Sequence, residues 1–263
     1  MLASLITRSM TYVRRMREGS MRDELKRLVR ILRNPIREIY LKDVYEKLAQ
    51  LEYRSFNRRF YAVEQVTEYL IGAQVPGDYL EFGVYQGATF VHAYRWMSTH
   101  FKKMKFFAFD SFEGLPTVSG IDAPNGYSSN FTQGQFTCSE EKFLKNLLDR
   151  DVDVGRVRTI KGWFKETLTR SKAENYGIDN IAVAWVDCDL YESTVPVLEF
   201  ITPYLTTGSV IAFDDWRCFR NSPDFGEKKA CKEWLSRNKH IDLHELISFG
   251  WNGIVFTVEI RQQ

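Results

Sequence analysis

Apolar positions recur along this chain with two periods, and the switches between them outline the fold. Leu25, Leu28, Val29, Leu32, Ile36, Ile39, Tyr40, Val44, Leu48 and Leu51 fall at the spacing of one helix face. Asn34-Pro35 is a cap followed by a first-turn proline, so one helix is expected to end near 33 and another to start at 35. A further helical stretch runs from about residue 57 to Gly72. Then short apolar runs begin to alternate with helical patterns. Strands are expected at 78–84, 105–110, 157–161, 181–187 and 208–214, and helices at 87–99, 139–149, 165–174, 193–205 and 226–238. Two closing strands, 243–248 and 253–259, flank the hairpin signal Phe249-Gly-Trp-Asn-Gly253. Runs without a polar face belong to strands covered by helices on both sides. The pattern therefore predicts an α/β fold with a mainly parallel, doubly wound sheet whose last strands include an antiparallel one.

The longest break in this alternation is 117–138, a polar, glycine- and aromatic-bearing tract that follows the strand ending at Asp110. An insert of that length in an otherwise compact pattern reads as a functional lid over the sheet edge. At the other end, residues 1–60 carry about 15 Lys/Arg against about 7 Asp/Glu, although the whole chain of 263 residues has a formal charge of only +2. The remainder is therefore acidic. Residues 1–56 read as a basic helical appendage to a second unit at 57–263. Its apolar stripe points to a homo-oligomer, and its charge to peripheral contact with an anionic membrane surface or a polyanionic substrate. Nucleic acid is not expected, because no binding motif accompanies the charge.

The composition, 44% apolar and 27% charged, is that of an ordinary globule. No run approaches the length of a membrane span, and the start of the chain lacks the pattern of a secretory signal. Four cysteines without metal-ligand spacing, in a chain too large to need staples, point to a reduced cytoplasmic setting, with the inner membrane face as the peripheral alternative.

The chemistry lies at strand ends. Ile-Ala-Val-Ala-Trp-Val (181–186) leads into Asp187-Cys188-Asp189, and Ser209-Val-Ile-Ala-Phe213 leads into Asp214-Asp215. Ligands bind beyond the carboxyl ends of strands in a parallel sheet. Several acids at one such edge repel one another unless a cation sits between them. Alternation along the strand sends Cys188 away from the acids, into the core, and puts Asp187 and Asp189 on the same side. Asp78-Tyr-Leu-Glu81-Phe-Gly83-Val84-Tyr-Gln-Gly87 reads as a strand, a glycine turn and a helix start, which lets backbone approach a ligand closely. Asp110, ending the next strand, can accept from a ribose diol. The four histidines fall in no metal-ligand spacing. Trp163 suits either a pocket wall or the core, and Tyr191 either orients an acceptor or packs.

Five segments in order, Glu81-Phe-Gly-Val-Tyr-Gln-Gly87, Asp110-Ser-Phe-Glu-Gly-Leu-Pro116, Lys161-Gly-Trp-Phe164, Asp187-Cys-Asp-Leu-Tyr191 and Asp214-Asp-Trp216, make residues 57–260 resemble the macrocin- and novobiocin-type O-methyltransferases. These are metal-dependent class I enzymes that use S-adenosylmethionine. The resemblance implies a Rossmann-like, seven-stranded, mainly parallel sheet with an antiparallel strand from the C-terminal hairpin. It implies that Glu81, Gly83, Val84 and Gly87 hold the methionine part of S-adenosylmethionine, with Asp187 nearby. Asp110 and Ser111 would take the ribose, and Gly162 and Trp163 would lie near the adenine. Asp187, Asp214 and Asp215 would bind Mg2+ or another divalent cation, and Asp189 would be the general base. Two departures stand out: Gln86-Gly87-Ala88 where the family often has Arg-Gly-Gly, and Trp216 where a tyrosine often follows the paired aspartates. A cation that lowers the pKa of a hydroxyl and fixes it in line with a sulfonium methyl suits a sugar or glycan acceptor with a vicinal diol. Two rival readings use the same residues. One is a nucleotide-sugar glycosyltransferase holding its metal through Asp187-Cys188-Asp189, and the other is a non-catalytic scaffold at a membrane surface. The alternative for Asp189 is a supporting acid behind the ligands.

Overall fold

The computed structural model describes residues 51–123, 126–169 and 174–261. The chain divides into two units, Met1–Arg54 and Ser55–Gln263. The helices expected over 25–51, the Asn34-Pro35 boundary and the basic appendage lie, up to residue 50, outside the described residues.

Seven strands form one sheet: β1 (Asp78–Phe82), β2 (Phe106–Asp110), β3 (Val157–Lys161), β4 (Ile181–Val186), β5 (Val210–Phe213), β6 (Ile241–Phe249) and β7 (Gly253–Ile260). Their order is β3-β2-β1-β4-β5-β7-β6. The first five pair in parallel, and β7 runs antiparallel to both β5 and β6. The expected Rossmann-like architecture with its antiparallel hairpin strand is the observed one. Strand order reverses between β1 and β4, which opens a crevice at their carboxyl ends.

The helices are α1 (Leu51–Ala73), α2 (Ala88–His100), α3 (Glu140–Leu148), α4 (Phe164–Thr167), α5 (Tyr191–Ile201) and α6 (Gly226–Arg237). Strand alternation sorts the core into two layers. Tyr79, Phe106, Val183 and Trp185 pack under α1–α3, through residues such as Val66, Phe90 and Phe143. Leu80, Phe109, Ala184 and Phe213 pack under α5 and α6, through Leu198, Phe200 and Trp234. Every residue of β1 and β4 is buried, so these two strands carry no polar alternation. A fully buried large apolar side chain contributes about 1.5–3 kcal/mol. The central strands are thus a rigid platform for the loops at their carboxyl ends. No described helix is long and apolar enough to cross a membrane.

Three expectations are corrected. The helix expected at 165–174 is realised as the four-residue α4. The Tyr176 hydroxyl donates to the Thr167 carbonyl at 2.8 Å, capping an oxygen that a continuing helix would use; residues 170–173 lie outside the described residues. β4 stops at Val186, so Asp187–Asp189 are not strand residues. Asp189 itself adopts φ 60, which voids the alternation argument that aligned it with Asp187. Cys188 is nevertheless buried in the α5/α6 layer, as expected.

The tract 117–138 is folded where it is described. Its base is tied by Leu115 N–H to the Gln135 carbonyl at 2.8 Å and by Gly134 N–H to the Leu115 carbonyl at 2.9 Å. A 3-10 turn, Gly126–Asn130, carries Tyr127, whose ring packs 5.2 Å from that of Phe219 beyond β5.

Candidate functional site

Three strand ends at the crevice continue the sheet by one residue each, the first through Gly83 N–H donating to the Phe109 carbonyl at 2.8 Å. Asp187 N–H donates to the Phe82 carbonyl and Asp214 N–H to the Val186 carbonyl, both at 2.9 Å. This staircase brings side chains distant in sequence together. One ligand oxygen each from Asp187, Asp214 and Asp215 lies within 4.8 Å of the others, and this trio is the one such group among the described residues. Asp214 is 1% exposed, and its Oδ1 is buried with no hydrogen-bond partner. A buried unpaired carboxylate oxygen is costly, so the arrangement fits a hard divalent cation, which takes oxygen ligands of this kind.

Burial, joined by repulsion from neighbouring aspartates, pushes Asp187 and Asp214 up to about 7 and Asp215 up to about 6. The opposing charge comes from Arg59 on α1, which pairs with Asp214 and lies 3.5 Å from Asp187. Burial works against the Arg59 charge, but attraction from Asp214, Asp187, Asp215 and Glu81 outweighs it and raises its pKa. Among the described residues, Arg59 is thus the cation paired with this trio of acids. Beneath them Glu227, buried in the first turn of α6, accepts from Asp215 N–H at 3.0 Å and Cys188 N–H at 3.4 Å. Asp189 is 9% exposed and does not belong to the trio. Burial, then the charges of Asp215, Asp187 and Asp214, holds its carboxyl well above the ordinary range.

The glycine turn forms the other half of the crevice. A Cβ on Gly83 would lie 2.0 Å from the Asp187 carbonyl, and one on Gly87 would meet the Phe143 ring at 2.9 Å; both residues have positive φ. At Gly83 glycine lets β1 press against β4, which brings Glu81 and Asp187 to one place, and at Gly87 it lets the turn close on Phe143 of α3. Glu81 is 1% exposed, accepts from the Tyr79 hydroxyl, and is held well above its ordinary pKa by burial. Asp110 closes the turn: its Oδ2 accepts from Val84 N–H at 2.8 Å and Tyr85 N–H at 3.2 Å, and its Oδ1 from Phe112 N–H at 2.7 Å. The Ser111 hydroxyl spans Gly114 and Glu113 of the next turn. Gly162 N–H donates to the Asp110 carbonyl at 3.0 Å, which places Gly162 and the half-buried Trp163 on the same edge.

Other residues resolve differently. Tyr191 turns its hydroxyl to Glu233 on α6 at 2.7 Å, so it packs between helices. Trp216 lies back on Phe213 and Phe256, with ring centroids 5.0 and 5.2 Å away. His92 pairs with Glu64 and His244 with Glu259, outside the trio. Sequence reasoning missed Arg59, Glu227 and Asp122. Arg59 is one of many basic residues in its stretch, and Glu227 looks like ordinary helix-start charge. Asp122 did carry a signal: it is the one charged residue between Glu113 and Glu140.

The macrocin-O-methyltransferase family model matches residues 53–244. Demethyldecarbamoylnovobiocin O-methyltransferase of Streptomyces niveus is 31% identical over 162 residues, 60% of each chain. The 8-demethyl-8-(2,3-dimethoxy-alpha-L-rhamnosyl)-tetracenomycin-C 4'-O-methyltransferase of Streptomyces olivaceus is 29% identical over 163 residues, again 60% of each. The chain thus spans 60% of the length of these two relatives. The solved structure of the O-methyltransferase NovP superposes with a TM-score of 0.64 at 25% identity, over 84% of this chain and 94% of that one. With the glycine turn, the seven-stranded order and the strand-end acids all in place, the chain belongs to the macrocin-O-methyltransferase family.

Proposed function

We propose that this chain transfers the methyl group of S-adenosylmethionine to a hydroxyl of a sugar or glycan-type acceptor, with a divalent cation, magnesium by preference, held by Asp187, Asp214 and Asp215. The observation that carries this reading is the trio itself, with its buried unpaired Asp214 oxygen. A cation bound there supplies Lewis acidity that lowers the pKa of an acceptor hydroxyl, and S-adenosylmethionine supplies an already activated methyl group.

The protein's own residues do the rest. Asp189, buried beside the trio and more basic than an ordinary carboxylate, takes up the hydroxyl proton. Glu81, Gly83, Val84 and Gly87 cradle the amino-acid end of S-adenosylmethionine. Asp110 and Ser111 face its ribose, and Gly162 and Trp163 its adenine. All the backbone donors to Asp110 come from the turns at Val84–Tyr85 and Phe112, so its carboxylate arrives already oriented. The tract 117–138 serves as the lid that excludes water from the crevice. A sugar acceptor is supported by the rhamnosyl group in the name of the Streptomyces olivaceus relative and by the fit of a vicinal diol to a cation with open positions.

Calorimetry separates this reading from its rivals. The purified chain is expected to bind S-adenosylmethionine and Mg2+ and to ignore nucleoside diphosphate sugars; the reverse preference overturns the proposal. Asp189→Asn is expected to lower turnover by about 100-fold or more while leaving S-adenosylmethionine affinity unchanged. Near-normal turnover would reduce Asp189 to a supporting acid.

A further inference from the structure

Asp122 lies in the insert after β2, yet it is 1% exposed. Its Oδ2 accepts from Tyr191 N–H at 2.8 Å and its Oδ1 from Gly226 N–H at 3.0 Å. These are the first residues of α5 and α6, and neither helix has a side-chain cap of its own: Leu190 and Phe225 occupy the cap positions. Helix starts leave N–H groups without partners, and a cap normally comes from the adjoining residue. Here one carboxylate, far away in sequence, serves both.

The two helix starts flank the acid site. Tyr191 follows Asp189 by two residues, and Asp189 sits at φ 60, a conformation that persists only where the surroundings over-determine it. Gly226 precedes Glu227, the brace under Asp215 and Cys188. A Cβ on Gly226 would meet the Phe219 ring at 2.9 Å and the Asp189 carbonyl at 3.4 Å, so the start of α6 packs close to Asp189. From the same insert, the Tyr127 ring packs 5.2 Å from that of Phe219, next to Cys218, whose thiol donates to Asp215 Oδ1 at 3.1 Å.

We propose that Asp122 is a positioning residue for the acid site: it clamps the starts of α5 and α6 together and thereby fixes Asp189 and, through Glu227, Asp215. The insert is then part of the scaffold of the site, besides covering it. The metal readout of the test rests on the proposed function; the exchange readout does not.

The test is Asp122→Asn. Each carboxylate oxygen takes a separate N–H, so the amide NH2 must face one donor and lose that bond. Supports behind metal ligands are typically worth about 10- to 100-fold in metal affinity, so the Mg2+ dissociation constant is expected to rise about tenfold by calorimetry. S-adenosylmethionine affinity is expected to stay unchanged, and amide exchange to quicken at 189–191 and 226–228. Asp153→Ala, which removes the cap on Gly155 N–H at the opposite edge of the sheet, is the control and is expected to leave Mg2+ affinity intact. Wild-type Mg2+ affinity with wild-type exchange in Asp122→Asn overturns the proposal, as does an equal Mg2+ loss in the control. If the unaltered protein takes up no Mg2+, the metal reading fails and exchange alone decides for or against Asp122. If Asp122→Asn does not fold, exchange in the unaltered protein decides: protected Tyr191 and Gly226 amides support the clamp, and unprotected ones overturn it.

Discussion

At the scale of single residues, the site is organised by a competition over charge. Among the described residues, three carboxylates share one guanidinium, Arg59, which pairs with two of them. A divalent cation must enter against that positive charge. Arg59→Met is therefore expected to tighten Mg2+ binding by about tenfold, the equivalent of about 1.4 kcal/mol, read by calorimetry near neutral pH. Weaker binding in the variant would mean that Arg59 holds the carboxylates in their ligating arrangement instead of opposing the ion. Legibility at this scale follows the local signal. Asp187, Asp214 and Asp215 stood out because each follows an unbroken apolar run. Arg59 could not stand out, since its partners lie more than 100 residues downstream and nothing near it in sequence marks which basic residue turns inward.

At the scale of elements, the close approach of β1 to β4 is the critical join. Gly83 allows it, and a methyl there would strike the Asp187 carbonyl at 2.0 Å with the backbone already at φ +88. Gly83→Ala is expected to destabilise the fold by about 2–3 kcal/mol, the cost of overpacking plus positive-φ strain, and to lower the thermal midpoint by roughly 5–10 °C. Gly72 is the contrast: it lies in α1, where an added methyl would have no atom within 4 Å. Gly72→Ala is expected to be neutral or to stabilise by up to about 1 kcal/mol. If the two variants melt alike, packing at the β1–β4 join is not what requires glycine at 83. Strands β2, β4 and β5 were legible because burial on both faces leaves apolar runs with no polar residue before the strand end. The early end of α4 was not, because it depends on the Tyr176 hydroxyl reaching back to Thr167.

At the scale of the whole molecule, the acid site makes stability depend on pH and on metal. Asp187, Asp214 and Asp215 move from an ordinary value of 3.8 up to about 7, 7 and 6 on folding. Between the unfolded and folded values the native state holds more protons than the unfolded chain, so stability falls as pH rises through that window and levels off above it. Without metal, the thermal midpoint is expected to drop as pH is raised from about 5 to about 8, and Asp214→Asn to flatten that slope. Mg2+ needs the ionised carboxylates, so it is expected to lift the midpoint more at about pH 8 than at about pH 5.5. A Mg2+ effect equal at both pH values would place the ion elsewhere.

What the sequence determined by itself is whatever a short window of chain can state. That includes the period of the apolar positions, and hence the α/β alternation. It includes the hairpin at Gly250–Asn252, and the acids and glycines that sit where strands stop. Tertiary structure decided the rest. It set the order of strands, placing β1 beside β4 and so Glu81 beside Asp187. It selected Arg59 as the counter-charge, gave Asp189 its left-handed backbone, and placed Asp122 under two helix starts. The division has one physical cause. Periodicity and turn chemistry act between near neighbours, whereas charge pairing and capping depend on which distant segments the packed sheet brings within a hydrogen bond of one another.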